Sequence, residues 1–171
     1  RLLNFLNRAL ENVDLKKEKR NLENKLFQSY EIIGKSQSME KVKNLITKLK
    51  NTESRIFISG PAGSGKELVA RQIHKQSTRS KKPFVVVNGA LLDPEKYELE
   101  LFGIENNNDT TSYGFFEKAE NGTLLIDEVT EIPLETQAKI LRILIDQKFR
   151  RVNGSKEINV NVRIISTSSK N

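Results

Sequence analysis

At 171 residues with 36% hydrophobic content, the chain can bury one well-formed core but not two. It has no cysteine, which excludes disulfides and thiolate metal sites and accords with a reducing cytoplasm, and its single histidine, His74, cannot build a zinc site. The net charge of +7 invites a nucleic-acid reading, but the densest basic groups, Lys16-Lys17-Glu18-Lys19-Arg20 and Arg79-Ser80-Lys81-Lys82, lack interleaved aromatics and read better as solvated faces.

In chain order, residues 1–28 carry no Gly or Pro and place Leu3, Leu6, Leu10 and Val13 at steps of three and four, which predicts a linker helix with an apolar stripe. The stripe shifts to Leu15, Leu22 and Leu26, so no regular heptad continues, and two roles stay open: pairing with a twin helix in a dimer, or packing on a domain of its own chain. Asn4, Asn7, Arg8 and Glu11 interrupt the apolar positions, and no run approaches the ~20 residues needed to cross a bilayer. A soluble, cytoplasmic protein with no membrane partner is expected.

Residues 29–171 alternate helix and strand. Helices are expected near Ser38–Lys50, Gly65–Gln76 and Pro133–Gln147, with His74 on the exposed face of the second. Strands are expected near Arg55–Ser59, Pro83–Asn88, Thr123–Asp127 and Asn159–Thr167, and the Asn153-Gly154 pair reads as a hairpin turn. Apolar strands separated by helices imply an α/β fold with a mostly parallel sheet covered on both faces, which binds ligands at the carboxyl ends of its strands.

The stretch Ile56-Phe57-Ile58-Ser59-Gly60-Pro61-Ala62-Gly63-Ser64-Gly65-Lys66-Glu67 is a buried strand running into a glycine-rich turn and then a helix. Phosphate oxygens can meet a cradle of backbone N–H groups only where side chains leave room, and Gly60, Gly63 and Gly65 leave it. Lys66 would set its ammonium at the β- and γ-phosphates, with the helix dipole aimed at the same anion. The pattern predicts a phosphate-binding loop for a nucleotide. Its one departure from the generic form is Glu67, where a Ser or Thr usually supplies a Mg²⁺-ligating hydroxyl.

A second apolar strand, Thr123-Leu124-Leu125-Ile126, ends in Asp127-Glu128, which reads as a Walker B motif. Asp127 is the candidate Mg²⁺ ligand, and Glu128 would orient or deprotonate the attacking water. Asn88, at the end of the strand between, is a second candidate catalytic residue, with an amide expected to reach the Glu128 carboxylate. The plainer alternative is that Asn88 caps the turn that follows it.

With these residues in place, the chain resembles the central AAA+ domain of the sigma-54-dependent transcription activators, the NtrC family of two-component response regulators, and within it the NtrX type. The blocks that carry the resemblance are GPAGSGKELVARQIHKQS, PFVVVNGALL, ELELFGIE, GFFEKAENGTLLIDEVTEIPLETQAKILRILIDQKFRRVNG and VNVRIISTSS, in that order. Family members also place Glu after the P-loop lysine. The resemblance implies a P-loop NTPase AAA+ core, Ile32 and Ile33 resting against adenine, and an asparagine at Asn88 working with Glu128. It implies ATPase activity with ATP and Mg²⁺, and a homo-oligomer, paired through the linker helix or closed into a ring.

The departures carry information as well. The family's sigma-54-gripping loop reads GAFTGA, whereas this chain has Asn106-Asn107-Asn108-Asp109-Thr110-Thr111-Ser112-Tyr113, with no small apolar tip to dock on sigma-54 RNA polymerase. Ser169 stands where the family has a sensor asparagine, and a hydroxyl cannot donate and accept as an amide does. Arg151 matches an arginine that the family retains, and no finger role is assigned to it.

The resemblance further implies a longer regulator: a receiver before Arg1 that answers a sensor kinase, then a lid, arginine fingers and a DNA-binding helix-turn-helix after Asn171. Binding of ATP with little or no hydrolysis is therefore expected of these residues alone. A switch that binds nucleotide without hydrolysing it is one rival reading, and a small-molecule P-loop kinase is another, which the absent hydroxyl after Lys66 disfavours.

Overall fold

A computed structural model describes residues 31–105 and 111–170. The expected linker helix over 1–28 and most of the segment Asn106–Tyr113 lie outside the described residues. The chain divides into two units, 1–33 and 34–171, and the account below concerns the second.

Helix α1 (Gln37–Lys48) starts where Ser36 accepts a hydrogen bond from the Met39 amide, with Glu40 in its first turn and Lys48 in its last, charges that complement the helix dipole. Strand β1 (Ile56–Ser59) leads through the glycine-rich turn to α2 (Lys66–Lys75), and β2 is Phe84–Asn88. A short helix α3 (Tyr97–Phe102), a two-residue hairpin β3 (Ile104–Glu105) and β4 (Thr111–Ser112), and a one-turn helix α4 (Phe115–Lys118) follow. Strand β5 (Thr123–Asp127) runs into a 3₁₀ turn at Val129–Glu131 and then α5 (Leu134–Asp146). The strands β6 (Lys148–Phe149), β7 (Ile158–Asn159) and β8 (Arg163–Ser168) complete the unit.

The main sheet has the order β1-β8-β5-β2, and every pairing in it is parallel. This is the parallel sheet the apolar runs predict: β5 is buried from Thr123 to Ile126, as a strand covered on both faces must be. The register sets Ser59 beside Ser168 and Asn88 beside Asp127, so the carboxyl ends of four strands finish at one edge. Beyond the sheet, Phe102, Phe116 and Phe149 meet with ring centroids 5.8–6.1 Å apart. They bind α3, α4 and β6 into the core that contains Leu101, Leu124, Ile126 and Ile140.

Two expectations change. The strand expected over Asn159–Thr167 is two separate strands: Ile158–Asn159 pairs antiparallel with Lys148–Phe149, and only from Arg163 does the chain join the main sheet. Between them the backbone turns outward to other partners, since the Asn161 carbonyl accepts from the Asn121 amide at 2.9 Å and the Val160 amide donates to Gln147 O at 2.9 Å. The Asn153-Gly154 turn exists, with Asn153 at φ 61° and Gly154 N donating to Arg151 O. It lies within the connection between Lys148–Phe149 and Ile158–Asn159, which pair antiparallel as a hairpin, rather than joining them directly.

His74 is also not on an exposed face. It is 2% exposed, its Nδ1 lies 2.9 Å from Thr123 Oγ1, and its ring tilts on Phe84 at 5.0 Å. Its place follows from helical spacing, since His74 shares the inward face of α2 with Ala70 and Ile73.

Candidate functional site

The glycine-rich turn is pinned at its root, where Gly60 N donates to Ser168 O at 3.2 Å, and closed on itself by Ser64 N donating to Pro61 O at 3.2 Å. Pro61, Ala62, Gly63 and Ser64 are exposed. Gly65 caps α2 at φ 87°, a left-handed conformation that glycine adopts without strain, and it offers no side chain to the helix's first amides. Those amides are thus left for a ligand, at the positive end of the helix dipole.

Lys66, the first residue of α2, is 8% exposed. Its ammonium donates to Gly60 O at 3.0 Å, Pro61 O at 3.2 Å and Ser169 Oγ at 2.8 Å, and lies 3.4 Å from Glu128 Oε1. Glu67 points elsewhere. Its carboxylate is held by Arg71 one helical turn on, at 2.6 Å from Nη2 and 2.8 Å from Nε, so it sits on the outer face of α2 and its side chain takes no part beside Lys66.

At the end of β5, Asp127 accepts from Asn88 Nδ2 at 3.1 Å and from the Thr167 hydroxyl. Glu128 follows at φ 52° and ψ 50°, a left-handed turn uncommon for a side chain of this size and frequent where a functional group must be aimed. Its amide donates to Thr167 Oγ1 at 3.0 Å. Its carboxylate takes two hydrogen bonds from Ser169, one from the amide at 2.8 Å and one from the hydroxyl. Those two bonds, with Lys66 adding, hold the Glu128 carboxyl below its ordinary range against the opposing effect of desolvation.

The sequence places Asn88 against Glu128, and here the structure differs. The Asn88 amide goes to Asp127, one residue earlier, while its Oδ1 accepts from Ala90 N at 2.9 Å and so caps the following turn as well. The register explains this, because Asn88 is paired directly with Asp127. At the same place Gly89 N donates to Asp127 O at 2.8 Å, and a Cβ on Gly89 would come within 2.6 Å of Glu128 O. Ile32 and Ile33 belong to the other unit, so their relation to the loop is not part of this geometry.

Two residues that sequence reasoning underused stand at the centre of the site. Thr167 bridges the carboxylate of Asp127 and the amide of Glu128, and its level beside them follows from the pairing of Ile126 with Ser166. Ser169 touches both Lys66 and Glu128. Among the described residues no three His, Cys, Asp or Glu side chains gather as a metal cage. The Asp127 carboxylate with the Thr167 hydroxyl beside it suits Mg²⁺, which keeps waters and takes oxygens from phosphates rather than from an all-protein cage.

Arg151 is enclosed rather than presented. It grips Glu117 through Nε at 2.9 Å and Nη2 at 2.5 Å, lies 3.9 Å from Glu105, and covers the Tyr113 ring at 5.3 Å.

The family profile described as the Sigma-54 interaction domain matches residues 32–171. The chain belongs to the sigma-54 interaction domain family. It is 42% identical over 171 residues to the nitrogen assimilation regulatory protein NtrX of Azorhizobium caulinodans, a match that covers 99% of this chain and 37% of that protein. A crystal structure of NtrX from Brucella abortus superposes with a TM-score of 0.87 at 46% identity, over all of this chain and 38% of that one. NtrX from Brucella abortus in complex with ATP superposes with a TM-score of 0.83 at 47% identity, covering 36% of that chain. This sigma-54 interaction domain thus spans under two-fifths of the length of these NtrX relatives. As in them, its parallel sheet is flanked by helices.

Proposed function

We propose that the chain is the ATP-binding part of an NtrX-like transcription regulator, with Mg·ATP seated between the loop Gly60–Lys66 and the carboxylates at the end of β5. The observation that carries this reading is the convergence of Lys66, Asp127 and Glu128 at the edge where β1, β5 and β8 end, beside an uncapped helix N-terminus. The ATP complex of the Brucella NtrX, at 47% identity, supports it. Lys66 would bind the β- and γ-phosphates, Asp127 would hold Mg²⁺, and Glu128 would orient a water for attack on the γ-phosphorus. When bound, the metal would offset charge on the phosphate oxygens. The further assignments of Ile32 and Ile33 to adenine, of a homo-oligomer through residues 1–28, and of DNA and sensor-kinase partners to other parts of the polypeptide belong to the same reading.

Hydrolysis is the weaker half of this function. Glu128 is tied to Lys66 and Ser169 rather than free to meet water, and this favours a nucleotide-dependent switch with slow turnover as a second reading. Titration with Mg·ATP should show one saturable site. Lys66→Ala should weaken it about 10- to 100-fold, the loss expected for charge-assisted hydrogen bonds to phosphate. Absence of saturable uptake, or indifference to Lys66→Ala, would sink the proposal. Steady phosphate release that Glu128→Gln abolishes would favour the ATPase over the switch.

A further inference from the structure

In a parallel sheet each connecting helix returns the chain to the amino end of the next strand. The last turn of α1 with residues 49–55, and the last turn of α2 with residues 76–83, therefore arrive at the end of the sheet opposite the glycine-rich loop. Contacts join the two segments there. Glu53 accepts from Thr78 Oγ1 at 3.2 Å and from Arg79 Nε at 2.9 Å. Arg163 Nη2, at the start of β8, donates to Leu49 O at 3.2 Å, and the backbone of Lys82 bonds the His74 ring. The meeting gathers Lys48, Lys50, Lys75, Lys81 and Lys82, all of them exposed.

These lysines differ from others on the surface. Lys96, Lys139, Lys148 and Lys170 each face a carboxylate, whereas none of the five makes an ion pair with a described residue. The nearby acids are spent, Glu53 on Arg79 at 2.8 Å and Glu120 on the Asn161 amide at 3.0 Å. Helix dipoles account for Lys48 and Lys75, which stand in last turns. They do not account for Lys81 and Lys82, held in a connection where Ser80 N donates to Ser77 O and Lys82 N to Arg79 O. Beneath them Arg163 is 2% exposed, with Nε and Nη1 unpartnered among the described residues, and its buried charge adds to the positive potential above.

We propose that this amino end of the sheet holds the phosphate backbone of a nucleic-acid duplex without reading its bases. Lysine ammoniums meet phosphates as point charges, and backbone contacts position a duplex without base recognition. Residues 47–55 and 75–83 contain no aromatic, which counts against single strands, since those are held by stacking. It also counts against a protein partner, whose interface would be enriched in aromatics and depleted of lysine. None of the exposed large apolar side chains falls in these two segments, so nothing there would anchor in a bilayer. Arg79-Ser80-Lys81-Lys82 alone reads as a solvated group, and it is the fold that sets Lys48, Lys50 and Lys75 at the same end. The inference goes beyond the nucleotide reading and does not depend on it.

The test is fluorescence anisotropy of labelled DNA and RNA duplexes of one sequence, titrated with the 171-residue chain from about 50 to 200 mM salt. Binding should saturate, with log affinity falling by about 0.9 per log unit of salt for each phosphate met, and the tighter duplex identifies the source of the backbone. The triple variant Lys75→Gln, Lys81→Gln, Lys82→Gln should bind at least about 10-fold more weakly at the lowest salt, with a slope shallower by about 2–3. A control triple, Lys35→Gln, Lys41→Gln, Lys156→Gln, removes the same charge from exposed lysines elsewhere and should stay within about 3-fold of the parent. Equal losses in the two triples would reduce the effect to overall charge and overturn the inference. So would an unmoved Lys75/Lys81/Lys82 variant beside lost binding when Lys16, Lys17 and Lys19 become Gln. Failure to bind either duplex would overturn it as well, and vesicles containing phosphatidylserine that bind in their place would assign the lysines to a membrane surface.

Discussion

At the scale of the residue, His74 shows how a polar name can hide a core position. Burial first, and then the nearby Arg163 guanidinium, lower its pKa from 6.5 to about 4, against a smaller opposing bond with the backbone of Lys82. The folded state therefore keeps the imidazole neutral where the unfolded chain would protonate it. Between about pH 6.5 and 4 the unfolded state binds more protons, so stability is full above 6.5 and falls as the pH drops towards 4. The ceiling on that loss is about 3 kcal/mol, at about 1.4 kcal/mol per pKa unit. Urea melts at pH 7.5 and pH 4.5 should show it, and His74→Gln, which can still reach Thr123 but carries no charge, should flatten the difference. Equal slopes for both proteins would rule His74 out as the source. The position itself was legible: Ala70, Ile73 and His74 stand at helical spacing, and the misplacement came from weighting polarity above period. The partner of Asn88 was not legible, because one step along β5 separates Asp127 from Glu128 and only the register decides between them.

At the scale of the element, the long pieces were legible and the short ones were not. Helices α1, α2 and α5 and strands β1, β2 and β5 fall within a few residues of their expected bounds, because each shows several turns of apolar period or an unbroken apolar run. The pairs β3/β4 and β6/β7 are two residues a strand, too short for alternation to register; Arg151 beside Glu105 and the Ile104–Val152 bridge flank the first, and Glu157 pairs with Lys148 and Arg150 at the second. The end of α5 offers a test of local chemistry. Gln147 closes that helix at φ 54° and ψ 31°, its amide donating to Ile143 O at 2.8 Å, in the left-handed position where glycine carries no Cβ penalty. Its side chain is exposed, and the backbone bonds from Gln147 N and to Gln147 O need no side chain. Gln147→Gly should therefore stabilise the fold by about 0.5–1 kcal/mol, the relief of a non-glycine left-handed residue less the added freedom of the unfolded chain. A higher urea midpoint at unchanged slope would report it. A lower midpoint would show that the glutamine side chain contributes more than its exposure implies.

At the scale of the whole unit, the architecture separates what holds the fold from what gathers at the carboxyl edge of the sheet. The three-phenylalanine contact lies among α3, α4 and β6, whereas the glycine-rich loop, Asp127, Glu128 and Ser169 stand at the carboxyl edge of the parallel sheet. Phe116 is fully buried, so Phe116→Ala should cost about 3–5 kcal/mol, a large part of the 5–15 kcal/mol typical of a domain. Nucleotide acts by a different route. A ligand that binds only the folded chain adds about 2.7 kcal/mol when present at a hundred times its Kd, whatever the starting stability. If the edge is the nucleotide site and is built independently of the phenylalanine contact, Phe116→Ala should unfold at lower urea yet gain the same increment from Mg·ATP as the parent. Lys66→Ala should gain much less at the same nucleotide concentration. Melts of the three proteins with and without nucleotide decide this. A lost increment in Phe116→Ala would mean that the phenylalanine contact shapes the loop across the sheet, and an undiminished increment in Lys66→Ala would place the nucleotide elsewhere on the molecule.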